Sequence, residues 1–126
     1  WVSDVASRAG APYLVLSKTR HGDRDVEITA PGLTDWAGRQ PVLIDDIVSS
    51  GRTMIEAARH FQSAGFPKPV CVVVHAIFAD QSYATLQTVA SRIVSTNSVR
   101  HPSATISITP LLVQAGRDSA DIFGTH

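Results

Sequence analysis

Residues 42–54 read VLIDDIVSSGRTM, and this stretch decides how the rest of the chain is read. An apolar run meets two adjacent carboxylates, Asp45 and Asp46. Ser49, Ser50, Gly51, Arg52 and Thr53 follow, rich in hydroxyls and backbone N–H groups. Beyond them, Met54, Ala57, Ala58 and Phe61 recur at the spacing of one helix face, with Gly65 as terminator. The pattern predicts a buried strand over 41–45, a tight polar loop, and a helix over 53–65.

Outward from that unit the same alternation continues. PYLVLS (12–17) reads as a strand, PVCVVVHAIF (69–78) as a buried strand, RIVSTN (92–97) and TISIT (105–109) as further strands. DQSYATLQTVA (80–90) reads as a helix, and PLLVQAG (110–116) starts another, with Pro110 in its first turn. The opening WVSDVASRAGAP reads as a helix ending at Gly10. Residues 18–40 form a long polar excursion in which Val26 and Ile28 alternate briefly, the pattern of a β-flap with a mobile tip. Continuous β-branched runs separated by helices predict an α/β domain over 1–126: a mainly parallel sheet with helices on both faces. Ligands in such sheets bind beyond the carboxyl ends of the strands, which is where residues 45–53 lie.

Between a strand and a helix, Ser49 to Thr53 suit a phosphate. Helix N-termini carry unpaired N–H groups and the positive end of the dipole. Hydroxyls add donors, and Gly51 permits close backbone approach. The loop lacks the Lys and spacing of a Walker A motif and the three glycines of a dinucleotide turn, so a monophosphate fits better than a triphosphate chain. Asp45 and Asp46 would repel a phosphate they touched. They suit the neutral part of such a ligand, accepting hydrogen bonds from vicinal hydroxyls or holding Mg²⁺ directly or through water. A ribose 5-phosphate has that layout. The plain alternative is a solvated strand end with an ordinary Ser/Thr cap.

Composition narrows the classes. The chain has 126 residues, 44% of them apolar, enough for one modest core. Lys plus Arg balance Asp plus Glu at 11 each, so no general nucleic-acid or membrane surface is implied. No run of about 18 apolar residues is present. No signal peptide is visible, and the expected location is the cytoplasm. The single Cys71, inside VCVVV, cannot form an internal disulfide and reads as a small buried hydrophobe. His75 at a strand end reads first as a structural histidine, and Trp36 as a packing anchor. The chain begins with Trp1 inside a helical pattern, which suggests a fragment of something longer.

VLIDDIVSSGRTM resembles the ribose-5-phosphate-binding motif of type I phosphoribosyltransferase-fold proteins, which serves several reactions. LSKTRHGDRDVEI (16–28) narrows the choice. Read alone, Lys18 and Arg20 would be a solvated charged loop. A strand ending in Lys-x-Arg, then a flap, then the Asp-Asp phosphate loop resembles the ribose-phosphate diphosphokinases (phosphoribosylpyrophosphate synthetases). VHAIFAD, IVSTNSV and ISITPLL extend the likeness over roughly residues 2–115, and the short HGDRDVEI is similar to the archaeal type.

That resemblance implies the roles. Lys18 and Arg20 would stabilise the transferring diphosphoryl group. Asp45 and Asp46 would hold the ribose hydroxyls and the metal-bound substrate, and Ser49, Ser50, Gly51, Arg52 and Thr53 the 5-phosphate. The partners would be ribose 5-phosphate and ATP with Mg²⁺, in an enzyme that is a homo-oligomer, dimer or hexamer, at full length. The family commonly has Thr at position 50 and Gly at position 52. A side chain at position 52 could crowd the loop; the favoured reading is that the guanidinium of Arg52 would grip the phosphate. The family has two similar domains, and the 126 residues correspond to the C-terminal lobe, which alone would not turn over. Two rivals stay open. A base phosphoribosyltransferase shares the loop but needs a hood for its base. A non-catalytic regulatory homologue would bind ribose phosphates without chemistry.

Overall fold

In the computed structural model, residues 1–20, 26–29 and 32–123 are described, without the side chains of residues 18–20, 26–29 and 120–123. Among them, four helices and six strands run in the order α1 (Val2–Ala9), β1 (Ser17–Arg20), β2 (Val26–Thr29), β3 (Val42–Val48), α2 (Arg52–Ser63), β4 (Val70–Ala76), α3 (Ser82–Val89), β5 (Arg92–Thr96), β6 (Ala104–Ile106) and α4 (Thr109–Phe123). A 3₁₀ turn at Leu33–Trp36 separates the flap from the sheet.

β3, β4, β5 and β6 lie side by side in that order, every neighbouring pair parallel. This is the expected mainly parallel α/β architecture, and its cause is visible in the strands. Leu43, Cys71 and Val73 share one face and are buried at 8%, 0% and 0% exposure. Met54, Ile55, Ala57, Ala58 and Phe61 of α2 and Leu86 and Val89 of α3 join them in one apolar core. The helical spacing read from Met54 onward is thus the face that packs on the sheet. Burial pushes the Cys71 thiol up to about 12, consistent with a small inert hydrophobe. Trp36 packs against the core edge with the Arg39 guanidinium 5.1 Å from its ring centre.

β1 and β2 form a separate antiparallel hairpin, with Ser17 opposite Thr29 and Arg20 opposite Val26. β2 lies beside α2, so the expected flap stands next to the helix that the polar loop opens. The expected mobile tip falls on residues 21–25, outside the described residues. The strand expected over 12–17 is corrected. β1 begins only at Ser17, and 11–16 is irregular. Leu14 and Leu16 are half-buried against the core while Tyr13 and Val15 stay exposed. The alternation is real, but among the described residues this backbone has no ladder partner, and alternation alone does not supply one. The strand expected over 105–109 shortens in the same way. β6 spans Ala104–Ile106, and Thr109 already belongs to α4.

Helix ends follow the glycines. Past α2, the Gly65 N–H donates to the Gln62 carbonyl and the Phe66 N–H to the Phe61 carbonyl, with Gly65 at φ 85°. The rings of Phe61 and Phe66 meet edge-on at 5.6 Å, the apolar contact that accompanies a Schellman end. Among the described residues no helix is long and apolar enough to cross a membrane.

A methyl group at position 65 would meet no atom within 4 Å, so its cost is backbone strain alone. Gly65→Ala should lower unfolding free energy by about 1–2 kcal/mol in urea melts, and Gly65→Asn by less. An unchanged midpoint for Gly65→Ala would remove the left-handed cap from the account of how α2 ends.

Candidate functional site at the carboxyl end of the parallel sheet

The site begins where β3 stops. Gly51 caps α2 at φ 69°, ψ 7°, with no side-chain hydrogen bond at the cap. Its carbonyl accepts the Ile55 N–H at 2.8 Å, the first turn of the helix. A Cβ at position 51 would meet Ile55 Cδ1 at 3.5 Å and Ser82 and Val48 atoms at 3.7 Å, ordinary contact distances. Glycine is therefore required by the left-handed φ rather than by lack of room. A helix start without a side-chain cap, opening from a turn rich in hydroxyls, suits an anion. Ser49, Ser50, Arg52 and Thr53 are all exposed around it, while Gly51 is buried beneath.

The loop is held from below by the next strand–helix connection. The Ser49 carbonyl accepts the Ala79 N–H at 2.9 Å and the Ser82 Oγ–H at 2.8 Å. The Val48 carbonyl accepts the Ile77 N–H at 3.2 Å. Ser82, at 8% exposure, opens α3, so this hydroxyl ties the starts of two helices together. The sequence reading missed Ser82. A serine before an apolar run signals a helix start, but nothing local says which carbonyl its hydroxyl will find.

Asp45 and Asp46 differ despite adjacency. The Asp46 N–H donates to Asp45 Oδ1 and the Ile47 N–H to Asp46 Oδ1, both at 2.8 Å. Burial, then the neighbouring Asp46, pushes the Asp45 carboxyl above its usual range. Asp46 is held below that range, first by its hydrogen bond with Asp45, then by the Ile47 N–H and, least, by the charge of His75. Asp46 is thus the more readily ionised and more exposed member of the pair. Among the described residues, no cluster of three or more His, Cys, Asp or Glu side chains is arranged to hold a metal. The pair fits Mg²⁺ only in the way that cation is usually bound, through one or two carboxylates with substrate oxygens completing the shell.

The structure thus brings together Asp45, Asp46 and residues 49–53 along one continuous strand end and helix start. Lys18 and Arg20 lie two positions apart on β1, and only their backbone is described. A residue read first as structural, with a site role as the alternative, also stands here. His75, exposed on β4 opposite Ile47, has its Nδ1 2.7 Å from Ser98 Oγ.

Residues 1–108 match the family described as the phosphoribosyl transferase domain. The chain is similar to a protein named ribose-phosphate pyrophosphokinase from Pyrococcus furiosus, 30% identical over 106 residues, covering 84% of this chain and 38% of that protein. It is 32% identical over 108 residues to one from Sulfurisphaera tokodaii, covering 82% of this chain and 36% of that protein. A ribose-phosphate pyrophosphokinase 2 from Archaeoglobus fulgidus is 32% identical over 114 residues, covering 90% and 42%. The chain therefore spans well under half the length of these curated relatives. Among solved structures, the phosphoribosylpyrophosphate synthetase of Mycobacterium smegmatis shares the fold, with a TM-score of 0.74 and 23% identity over 94% of this chain and 40% of that one. With its parallel sheet, its glycine turn into α2 and a family match over residues 1–108, this chain belongs to the phosphoribosyl transferase domain family.

Proposed function

We propose that the chain is the ribose-phosphate half of a ribose-phosphate diphosphokinase, transferring a diphosphoryl group from Mg-ATP to the 1-hydroxyl of ribose 5-phosphate. The observation that carries this reading is the direct run of β3 through Asp45 and Asp46 into the Ser49–Thr53 turn and the uncapped start of α2. A helix start that suits an anion and a pair of carboxylates that suit hydroxyls follow one another at the same strand end, which fits a phosphate and a diol on one sugar. The names of the similar proteins support the reaction class.

In the reaction, the oxygen of the sugar 1-hydroxyl forms a bond to the β-phosphorus of ATP. The bond from that phosphorus to the α–β bridging oxygen breaks, AMP leaves with that oxygen, and the hydroxyl proton is released. The 5-phosphate rests on the turn at residues 49–53, with Arg52 at its rim adding a bidentate cation. Asp46 accepts hydrogen bonds from the ribose hydroxyls, which fixes the 1-hydroxyl for attack. Asp45, the less readily ionised of the two, lies beside it on the same strand end. Lys18 and Arg20 on the flap meet the charge that spreads over the transferring oxygens. Bound Mg²⁺, held by Asp45 or Asp46 together with substrate oxygens, would neutralise the nucleotide phosphates. The remaining ATP contacts belong to a companion domain, so this chain alone binds the sugar phosphate without turnover. The full-length enzyme is a cytoplasmic homo-oligomer on this reading.

Calorimetry with ribose 5-phosphate should show Thr53→Ala weaker than the unmodified chain by about 1.5–3 kcal/mol, the loss of one hydrogen bond to a charged group. Equal affinities would count against the loop as the phosphate site. In the full-length enzyme, Lys18→Ala should lower kcat by roughly 10²–10³ with little change in the KM for ribose 5-phosphate, because its contact is made in the transition state. If kcat survived and only sugar-phosphate binding fell, the flap would be a binding lid and the diphosphokinase assignment would lose its main support.

A further inference from the structure

Two carboxylates can only accept hydrogen bonds when ionised, whereas each hydroxyl of a sugar both donates and accepts. A diol docked on Asp46 alone leaves its own oxygens without a donor. Among the described residues, a histidine stands as a candidate donor at the same strand ends. His75 sits on β4 opposite Ile47, one residue beyond Asp46, and is exposed at the carboxyl edge of the sheet.

The ring is held in place. Its Nδ1 lies 2.7 Å from Ser98 Oγ, and that serine is fixed by β5. The Ser98 N–H donates to Thr96 Oγ1 at 3.2 Å, and the Thr96 hydroxyl donates to the Val74 carbonyl at 2.5 Å. Thr96 is 8% exposed, so the network is anchored in the core. Ser98 Oγ has two places for its single proton: the Val74 carbonyl at 3.1 Å, which also accepts from Thr96, and His75 Nδ1 at 2.7 Å. The shorter distance suits an O–H donor. With Nδ1 accepting, the neutral ring carries its proton on Nε2, the nitrogen turned away from Ser98.

We propose that His75 is a further substrate-contacting residue, its Nε2–H donating to a hydroxyl oxygen of the sugar phosphate whose protons point to Asp46, with Ser98 and Thr96 as positioning residues. This deepens the ribose-phosphate reading and rests on it. Inorganic phosphate engages the loop at 49–53 and has no diol to meet His75, so a comparison of two ligands separates the two claims.

Calorimetry on the chain should give tighter binding of ribose 5-phosphate than of inorganic phosphate. His75→Ala should weaken ribose 5-phosphate by about 3- to 10-fold, the range of one neutral hydrogen bond, and leave inorganic phosphate unchanged. His75→Gln, which keeps a donor near the same place, should recover part of that loss, and both variants should melt with the unmodified chain because the residue is exposed. Unchanged ribose 5-phosphate affinity in His75→Ala would overturn the proposal, as would an equal loss for both ligands, which would mean a disturbed loop. If the unmodified chain bound ribose 5-phosphate no better than inorganic phosphate, the ribose-phosphate reading itself would fall, and this inference with it.

Discussion

The carbonyl of Ser49 is the point on which the site turns. It accepts the Ala79 N–H and the Ser82 hydroxyl together, so the turn leaving β3 cannot move without moving the turn leaving β4. Gly51 then reverses the chain in a left-handed conformation that a residue with a Cβ adopts only at about 1–2 kcal/mol. One conformation, fixed by two hydrogen bonds and one φ angle, decides where the first turn of α2 points. The core beneath it, with Val48, Ile55 and Leu86 all buried, makes the arrangement rigid. A turn held this way is preorganised, which is the condition under which electrostatic contacts contribute most.

Charge is arranged around that turn by exposure. Asp45 and Asp46 are neighbours in sequence, yet burial raises one and hydrogen bonding lowers the other. The two carboxylates therefore differ in how readily they ionise, Asp46 more readily than Asp45. The chain's overall neutrality gives no hint of this separation, because it is local and depends on which carboxylate faces the core.

What could be read from residues alone follows from range. The β3, β4 and β5 strands were legible because continuous β-branched runs leave few other buried conformations. The end of α2 was legible from Gly65, since a left-handed cap has one favoured residue. The acid pair and the polar turn were legible because their chemistry lies within nine consecutive residues. The segment 12–16 misled, because alternating burial of Leu14 and Leu16 looks the same with or without a neighbouring strand. The brace from Ser82 to Ser49 and the clamp of Ser98 on His75 were not legible. They join residues 33 and 23 positions apart, and no local period encodes such pairs.

The buried Cys71 has a consequence of a different kind. Its thiol is the sole one in the chain, is 0% exposed in the middle of β4, and is pushed up to about 12 by burial. In the folded protein it is therefore almost wholly un-ionised and sheltered from alkylating reagents, which attack the thiolate. β4 lies between β3 and β5, so exposing that sulfur requires opening the centre of the sheet rather than fraying an edge. The chain thus carries a built-in chemical clock for its most protected region. The rate at which Cys71 becomes labelled reports how often the sheet comes apart, with no probe added.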